Sequence, residues 1–177
     1  IRNSGRVSAD GGRIEMKAAT ARNAARNAIN LSGTAEARSV SLRNGAIVLG
    51  GGEGGTVRVS GKVSTRAPRQ ADAGLGSSAR PPRPTGGQID ITGARIALQG
   101  ALLDASGDGG GGQIRVGGGF AGQGPLPHAM TVSTDTDTRI LADALTRGDG
   151  GRIALWSDLR SDIAGNLSAR GGAQGGD

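Results

Sequence analysis

The chain has 177 residues, 35 of them glycine, with no cysteine and a formal net charge of +6. The missing cysteines exclude disulfides, thiolate catalysis and cysteine-ligated metals, and no stretch approaches the roughly 18 apolar residues that span a membrane. Glycine lacks the strict third-position period of collagen, and Phe120 and Trp156 are the sole aromatics, so any core must be aliphatic.

Residues 1–20 hold a short strand, a turn at Asp10-Gly11-Gly12 and a second strand, Arg13-Ile14-Glu15-Met16. The apolar residues of that second strand sit two apart, the period of a strand with one buried face. Residues 21–28, mostly alanine, arginine and asparagine, read as a loop or one helical turn, too short for a stable helix. Ile29-Asn30-Leu31, Val40-Ser41-Leu42 and Ile47-Val48-Leu49 follow as strands bounded by Gly, Asn or Ser.

The pattern of a glycine doublet before a short alternating strand then recurs. It is met at Gly11-Gly12, Gly54-Gly55, Gly86-Gly87, Gly111-Gly112 and Gly150-Gly151, five times in all. A second motif trails the first: an aliphatic residue, a spacer and a small residue, at Val7/Ala9, Val63/Thr65, Leu103/Ala105 and Leu167/Ala169. Residues 86–106 overlay residues 150–170, placing Ile89 on Ile153 and Leu103 on Leu167. From doublet to alanine is about 20 residues, which suits one three-sided coil. Short strands of this kind cannot bury their apolar face alone, so the copies must stack. The expectation is an all-β chain, a single right-handed parallel β-helix (a β-solenoid) of roughly 20-residue coils.

Two stretches break the repeat. Residues 66–85 carry four of the six prolines together with Arg66, Arg69, Arg80 and Arg83. Proline cannot donate to a ladder, so this segment leaves the solenoid as an excursion. Residues 117–130 form a second, shorter excursion with Pro125, Pro127 and the single histidine, His128. Strands resume at Thr131-Val132-Ser133 and Arg139-Ile140-Leu141 before the final coil. Lacking an initiator methionine and ending in Gly175-Gly176-Asp177, the chain reads as a piece of a longer protein.

The chemistry-bearing residues are sparse. A lone histidine builds neither a zinc set nor a histidine-based triad. Asp158 with Asp162, and Asp135 with Asp137, are the acids that could pair across a glycosidic bond at about 5–9 Å. Asp10, Asp108, Asp149 and Asp177 sit in Asp/Gly turns, where their own backbone hydrogen bonding favours them. The Gly-Asp-Gly-Gly turns at 107–110 and 148–151 lack the tandem copies of calcium-binding β-rolls, so no structural metal and no cofactor are expected. The arginines are scattered and not interleaved with aromatics, which argues against a nucleic-acid reader. Arg147-Gly148-Asp149 spells an integrin-type tripeptide within a tight turn that would expose it.

Several segments resemble filamentous-haemagglutinin-type exoproteins. These are Ala28-Ile29-Asn30-Leu31-Ser32-Gly33, Arg43-Asn44-Gly45-Ala46-Ile47-Val48-Leu49, Asp104-Ala105-Ser106-Gly107-Asp108, and the run from Gly148 through Asp158 to Ala173. The resemblance implies a right-handed parallel β-helix secreted by Gram-negative bacteria through a dedicated outer-membrane partner and used in adhesion, aggregation or contact toxicity. The asparagine-glycine signature motifs of the amino-terminal secretion domain are not recognisable. Where relatives often read Gly-Gly-Asp before an aromatic, this chain has Gly118-Gly119-Phe120.

The expected function is therefore structural and not enzymatic: an internal rod segment of a large secreted adhesin at the bacterial cell surface. Arg66, Arg69, Arg80 and Arg83 are the candidate contacts to anionic glycans of a host or neighbour cell. The alternative is a β-helix polysaccharide lyase or glycoside hydrolase, which requires a cleft lined by clustered acids and arginines.

Overall fold

The computed structural model describes residues 1–18, 28–40, 43–69, 82–174 and 176. The chain winds through three faces in strict rotation. The first coil has β1 (Arg2–Asn3), β2 (Arg6–Ser8) and β3 (Arg13–Lys17), and the second β4 (Ile29–Leu31), β5 (Thr34–Glu36) and β6 (Ala46–Gly50). The third has β7 (Thr56–Val59), β8 (Lys62–Ser64) and β9 (Gln88–Thr92), and the fourth β10 (Arg95–Leu98), β11 (Leu102–Asp104) and β12 (Gln113–Val116). The fifth has β13 (Thr131–Thr134), β14 (Arg139–Leu141) and β15 (Arg152–Leu155), followed by β16 (Arg160–Asp162) and β17 (Asn166–Ser168) of a sixth. Every third strand pairs, always parallel. The first sheet is β1-β4-β7-β10-β13-β16, the second β2-β5-β8-β11-β14-β17 and the third β3-β6-β9-β12-β15. The chain is a right-handed parallel β-helix.

Register follows the aliphatic pattern because a one-residue slip would turn every buried side chain outward. In the third sheet Ile14, Ile47, Ile89, Ile114 and Ile153 stack as one row. Leu49, Ile91 and Val116 stack in the next row, fully buried. The first sheet adds Ile29, Val57, Ile96 and Val132, and the second Ala35, Val63, Leu103 and Ile140. Burying each such side chain contributes about 2 kcal/mol. Each coil contributes only a few of them, so cohesion accumulates along the axis.

The glycine doublet has a steric cause. Gly12, Gly45, Gly87, Gly112 and Gly151 form a row at the corner between the second and third sheets, and the carbonyls of the first four accept from the next coil's third-sheet strand. A Cβ at Gly87 would lie 2.1 Å from the carbonyl oxygen of Gly45, at Gly112 2.1 Å from that of Gly87, and at Gly151 2.0 Å from that of Gly112. The first glycine of each doublet meets the following coil instead: a Cβ at Gly86, Gly111 or Gly150 would sit 1.7, 1.9 or 2.1 Å from the carbonyl oxygen of Ala105, Ala142 or Ala169. The corner closes when the second glycine's N–H donates to the carbonyl of the small residue on the same coil, as Gly112 does to Ala105 and Gly151 to Ala142, at 2.8 and 2.7 Å. The two sequence motifs are thus the two halves of one corner.

Three readings change in detail. The doublet at Gly54-Gly55 precedes β7 in the first sheet, whereas the other four lead into the third. Its counterpart in the second coil is Asn44-Gly45 before β6, so mixing two faces produced part of the uneven spacing. The 20 residues from Gly86 to Ala105 take in one strand from each face, but stacked partners lie further apart in sequence, as Val7, Ala35, Val63, Leu103, Ile140 and Leu167 show. The second-to-third corners supply part of the difference, and the stretches from the third sheet to the first after β3 and β12 supply the rest. Val40 is no strand residue: it makes an isolated antiparallel bridge to Arg43 at a corner, and it is exposed. Ser41, Leu42 and most of the 21–28 stretch lie outside the described residues.

In sequence 66–85 falls between β8 and β9, and 117–130 between β12 and β13, positions where a solenoid admits insertions without breaking a sheet. The first interrupts the second-to-third-sheet corner of the third coil. The second leaves after β12 and is stitched shut by Ala129, whose N–H donates to the Gly117 carbonyl at 2.8 Å.

Two stability outcomes follow. Gly87→Ala should lower unfolding free energy by about 3 kcal/mol through overpacking, while Gly5→Ala, whose Cβ meets nothing nearer than 4.0 Å, should stay within about 1 kcal/mol; urea denaturation compares them. Thr65 stands in an alanine row with its Oγ1 buried and without a hydrogen-bond partner among the described residues. Thr65→Val should therefore raise the urea midpoint, gaining about 1 kcal/mol.

Candidate functional site

The outward rows decide what the rod can do. On the second sheet Glu36 is nearly covered, with 10% of its side chain exposed, and it lies between Arg6 and Lys62 of the neighbouring coils. Lys62 Nζ donates to Glu36 Oε1 at 3.0 Å, and Arg6 Nη2 donates to Oε2. The Lys62 hydrogen bond foremost, with the charges of Lys62 and Arg6, holds the Glu36 carboxyl below the ordinary glutamate range against the opposing pull of burial. On the third sheet Arg115 grips Asp90 with two bonds, Nε to Oδ1 at 2.7 Å and Nη2 to Oδ2 at 2.8 Å. These pairs bind consecutive coils side by side.

The loop arginines turn toward the solenoid's own carbonyls and carboxylates. Arg83 Nη1 reaches Asp108 Oδ2 at 2.5 Å, with side-chain exposures of 12% and 0%. Arg66 lies 3.5 Å from Asp104, and Arg69 Nη2 donates to the Leu145 carbonyl at 3.4 Å. Arg80 lies outside the described residues. Three of the four candidate glycan contacts thus fasten the excursion's two ends to the coils.

Arg147-Gly148-Asp149 occupies the corner between β14 and β15, with its backbone held from both sides. Arg147 N–H donates to the Asp108 carbonyl at 3.1 Å, and the Gly148 carbonyl accepts from Gly172 at 2.9 Å. Gly148 takes φ +81°, and Arg147 Nε donates to Gln174 Oε1 at 3.0 Å. The tripeptide is one layer of a stack and not a projecting tip; Asp149 alone of the three is exposed.

Three of the four acids weighed for hydrolysis are engaged elsewhere, and the fourth, Asp137, is exposed with no side-chain bond among the described residues. Asp135 accepts from the Gly100 N–H and from Thr138 Oγ1, at 2.9 and 2.7 Å, and the Gly100 bond foremost lowers its pKa. Asp162 pairs with Arg160 at 2.8 Å. Asp158 Oδ1 accepts from Trp156 Nε1 at 3.0 Å and faces His128 Nδ1 at 3.0 Å. No two of these carboxylates are left facing a common cleft by these contacts.

A feature outside the sequence reading lies over the last coils of the third sheet. Gln113 and Arg115 of β12, Arg152 and Ala154 of β15, and Phe120 of the second excursion border a groove of about 560 Å³. Phe120 follows β12 closely but is distant in sequence from Arg152 and Ala154, and the pairing of β12 with β15 brings them to one groove. A second groove of about 500 Å³ follows the glycine doublets, floored by Gly86-Gly87, Gly111-Gly112 and Gly150-Gly151. Among the described residues no helix is long and apolar enough to cross a membrane.

Neither a protein-family model nor a curated protein matches the chain. Among solved structures, it is similar to the crystal structure of the HMW1 secretion domain from Haemophilus influenzae. The identity is 30% and the TM-score 0.77, over 99% of this chain and 42% of that one. The matched structure is a secretion domain. This chain therefore spans about two fifths of the length of the structure it matches, although the amino-terminal secretion signatures are not recognisable in its sequence.

Acidification tests the outer-face pairs. Because Glu36 is depressed in the folded state, its contribution is complete above about pH 4.5 and drains away as pH falls through the lowered value. Thermal melts from about pH 7 down to pH 3 should show Glu36→Gln less stable at neutrality and with a shallower acid decline than the parent.

Proposed function

We propose that the chain is a rod segment of a large secreted bacterial adhesin of the filamentous haemagglutinin type. A dedicated outer-membrane partner exports the parent protein, and the segment supports attachment to a host or neighbour-cell surface. The observation that carries this reading is the likeness of nearly the whole chain to the HMW1 secretion domain, at 30% identity and TM-score 0.77. The architecture agrees with it: three parallel sheets run the length of the stack in one strand order, so each coil advances the chain by about 4.8 Å. The physical work of such a segment is to extend.

The enzyme alternative is not favoured, since three of the four carboxylates it would use are bonded to arginine, tryptophan, threonine or backbone and Asp137 is left without a described partner acid. Adhesion through Arg66, Arg69, Arg80 and Arg83 also loses ground where the structure describes them. Releasing Arg83 for a ligand would strand the buried Asp108 without that partner, a cost of several kcal/mol.

The reading is tested in bacteria carrying the parent protein. One strain lacks residues 1–177, and another carries an unrelated parallel β-helix of six coils in their place. A rod requires export in both, attachment lowered by the deletion and attachment restored by the replacement. Loss of export in both strains would overturn the rod reading and assign the segment to secretion itself.

A further inference from the structure

The groove over β12 and β15 has no part in extension, and it is built at some conformational cost. Phe120 is 79% exposed. It opens a short 3-10 turn, Phe120–Gly122, in which Ala121 takes φ +52°, the only non-glycine residue at positive φ among the described residues. An alanine in that conformation costs about 1 kcal/mol. Gly122 follows at φ +68° and lies against the Trp156 indole: a Cβ there would be 2.6 Å from Cζ2. Trp156 is fixed in turn by its bond to Asp158, which His128 also contacts. The strained turn is thus seated on a braced indole, and its phenyl ring is held away from the core.

Below that ring the polar groups differ in availability. Arg115 is committed to Asp90. Arg152, in the adjoining strand and exposed, has neither a side-chain hydrogen bond nor an ion pair among the described residues. The Gln113 side chain is likewise without a described hydrogen bond and stands directly beside Arg152 in the ladder. Ala154 follows Asp90 and Arg115 in its outward row, and its small side chain leaves the groove its depth.

We propose that this groove binds a sugar unit bearing a carboxylate, as in a polyuronic acid. The aromatic face of Phe120 covers the apolar face of the pyranose ring. The fork of Arg152 takes the carboxylate with two charge-assisted bonds, and the Gln113 amide meets a ring hydroxyl. A neutral sugar leaves Arg152 unused, and a small inorganic anion leaves Phe120 unused. The groove's volume lies within the range of small-ligand sites. The inference rests on the reading of the chain as part of a surface-exposed rod, and it places the contact on the coils and second excursion instead of at 66–85.

Trp156 is the single tryptophan and lies against Gly122 of the turn that carries Phe120, so its fluorescence reports on that turn. The full 177-residue chain is titrated with tetragalacturonate, with neutral galactotetraose and with inorganic phosphate, by calorimetry and by fluorescence. Tetragalacturonate should bind about tenfold more tightly than the neutral sugar, the equivalent of one charge-assisted contact. Phe120→Ala should weaken it about tenfold, and Arg152→Gln should abolish the preference for the acidic sugar. Arg66→Ser with Arg69→Ser should leave both unchanged. Both groove side chains are exposed, so the variants keep their melting behaviour. Absence of saturation by tetragalacturonate up to about 10 mM, equal response to phosphate, or affinity indifferent to both groove variants would overturn the proposal. Attachment restored by a foreign β-helix, with no uronate binding here, removes the groove and leaves the rod. Uronate binding without any effect of the deletion on attachment does the reverse.

Discussion

The whole molecule depends on how closely two consecutive coils approach at the corner between the second and third sheets. The peptide oxygen of one coil stands where a side chain of the next would begin, about 2 Å from the Cβ position at Gly87, Gly112 and Gly151. Only glycine leaves that space empty. With it empty, the N–H of Gln88, Gln113 and Arg152 can reach the carbonyls of Gly45, Gly87 and Gly112, and the third sheet starts in the same register on every coil. The aliphatic rows inherit their alignment from that corner.

Once the register is set, the interior has little choice. The cross-section admits one or two aliphatic residues from each face, so isoleucine stacks on isoleucine and valine on leucine along the axis. A narrow core of this kind has no room for rings, and both aromatics of the chain lie outside it, Phe120 in an excursion and Trp156 beyond the end of β15. Neighbouring coils carry each other's stability, and the ion pairs of Glu36 and Asp90 join those coils on the outside.

The excursions use the same logic in different ways. The first returns its described arginines, Arg66, Arg69 and Arg83, to the coils. The second closes on its own backbone at Gly117 and Ala129 and props a strained turn on Trp156, leaving one phenyl ring beside an arginine with no described partner. A solenoid can carry such a device because its loop inserts at a corner and leaves the ladders intact. This makes the second excursion the place where a rod acquires chemistry of its own.

The sequence by itself determined the class of fold. Period-two aliphatic strands, the glycine doublets and the small residues after Val63 and Leu103 admit only stacked parallel coils, because short one-faced strands must share a core. It also marked 66–85 and 117–130 as stretches outside the repeat, since proline cannot join a ladder. It could not assign strands to faces: β7 and β9 follow the same doublet and alternate alike, yet they belong to different sheets. Strands such as β5 and β16, with few aliphatic residues, carry too weak a pattern to be seen at all. The pairing of Arg83 with Asp108 and the meeting of Phe120 with Arg152 were equally hidden, because each joins residues more than twenty positions apart whose proximity depends on the corner geometry. Local pattern dictates which residues face inward; the stacking of coils alone decides which outward residues become neighbours.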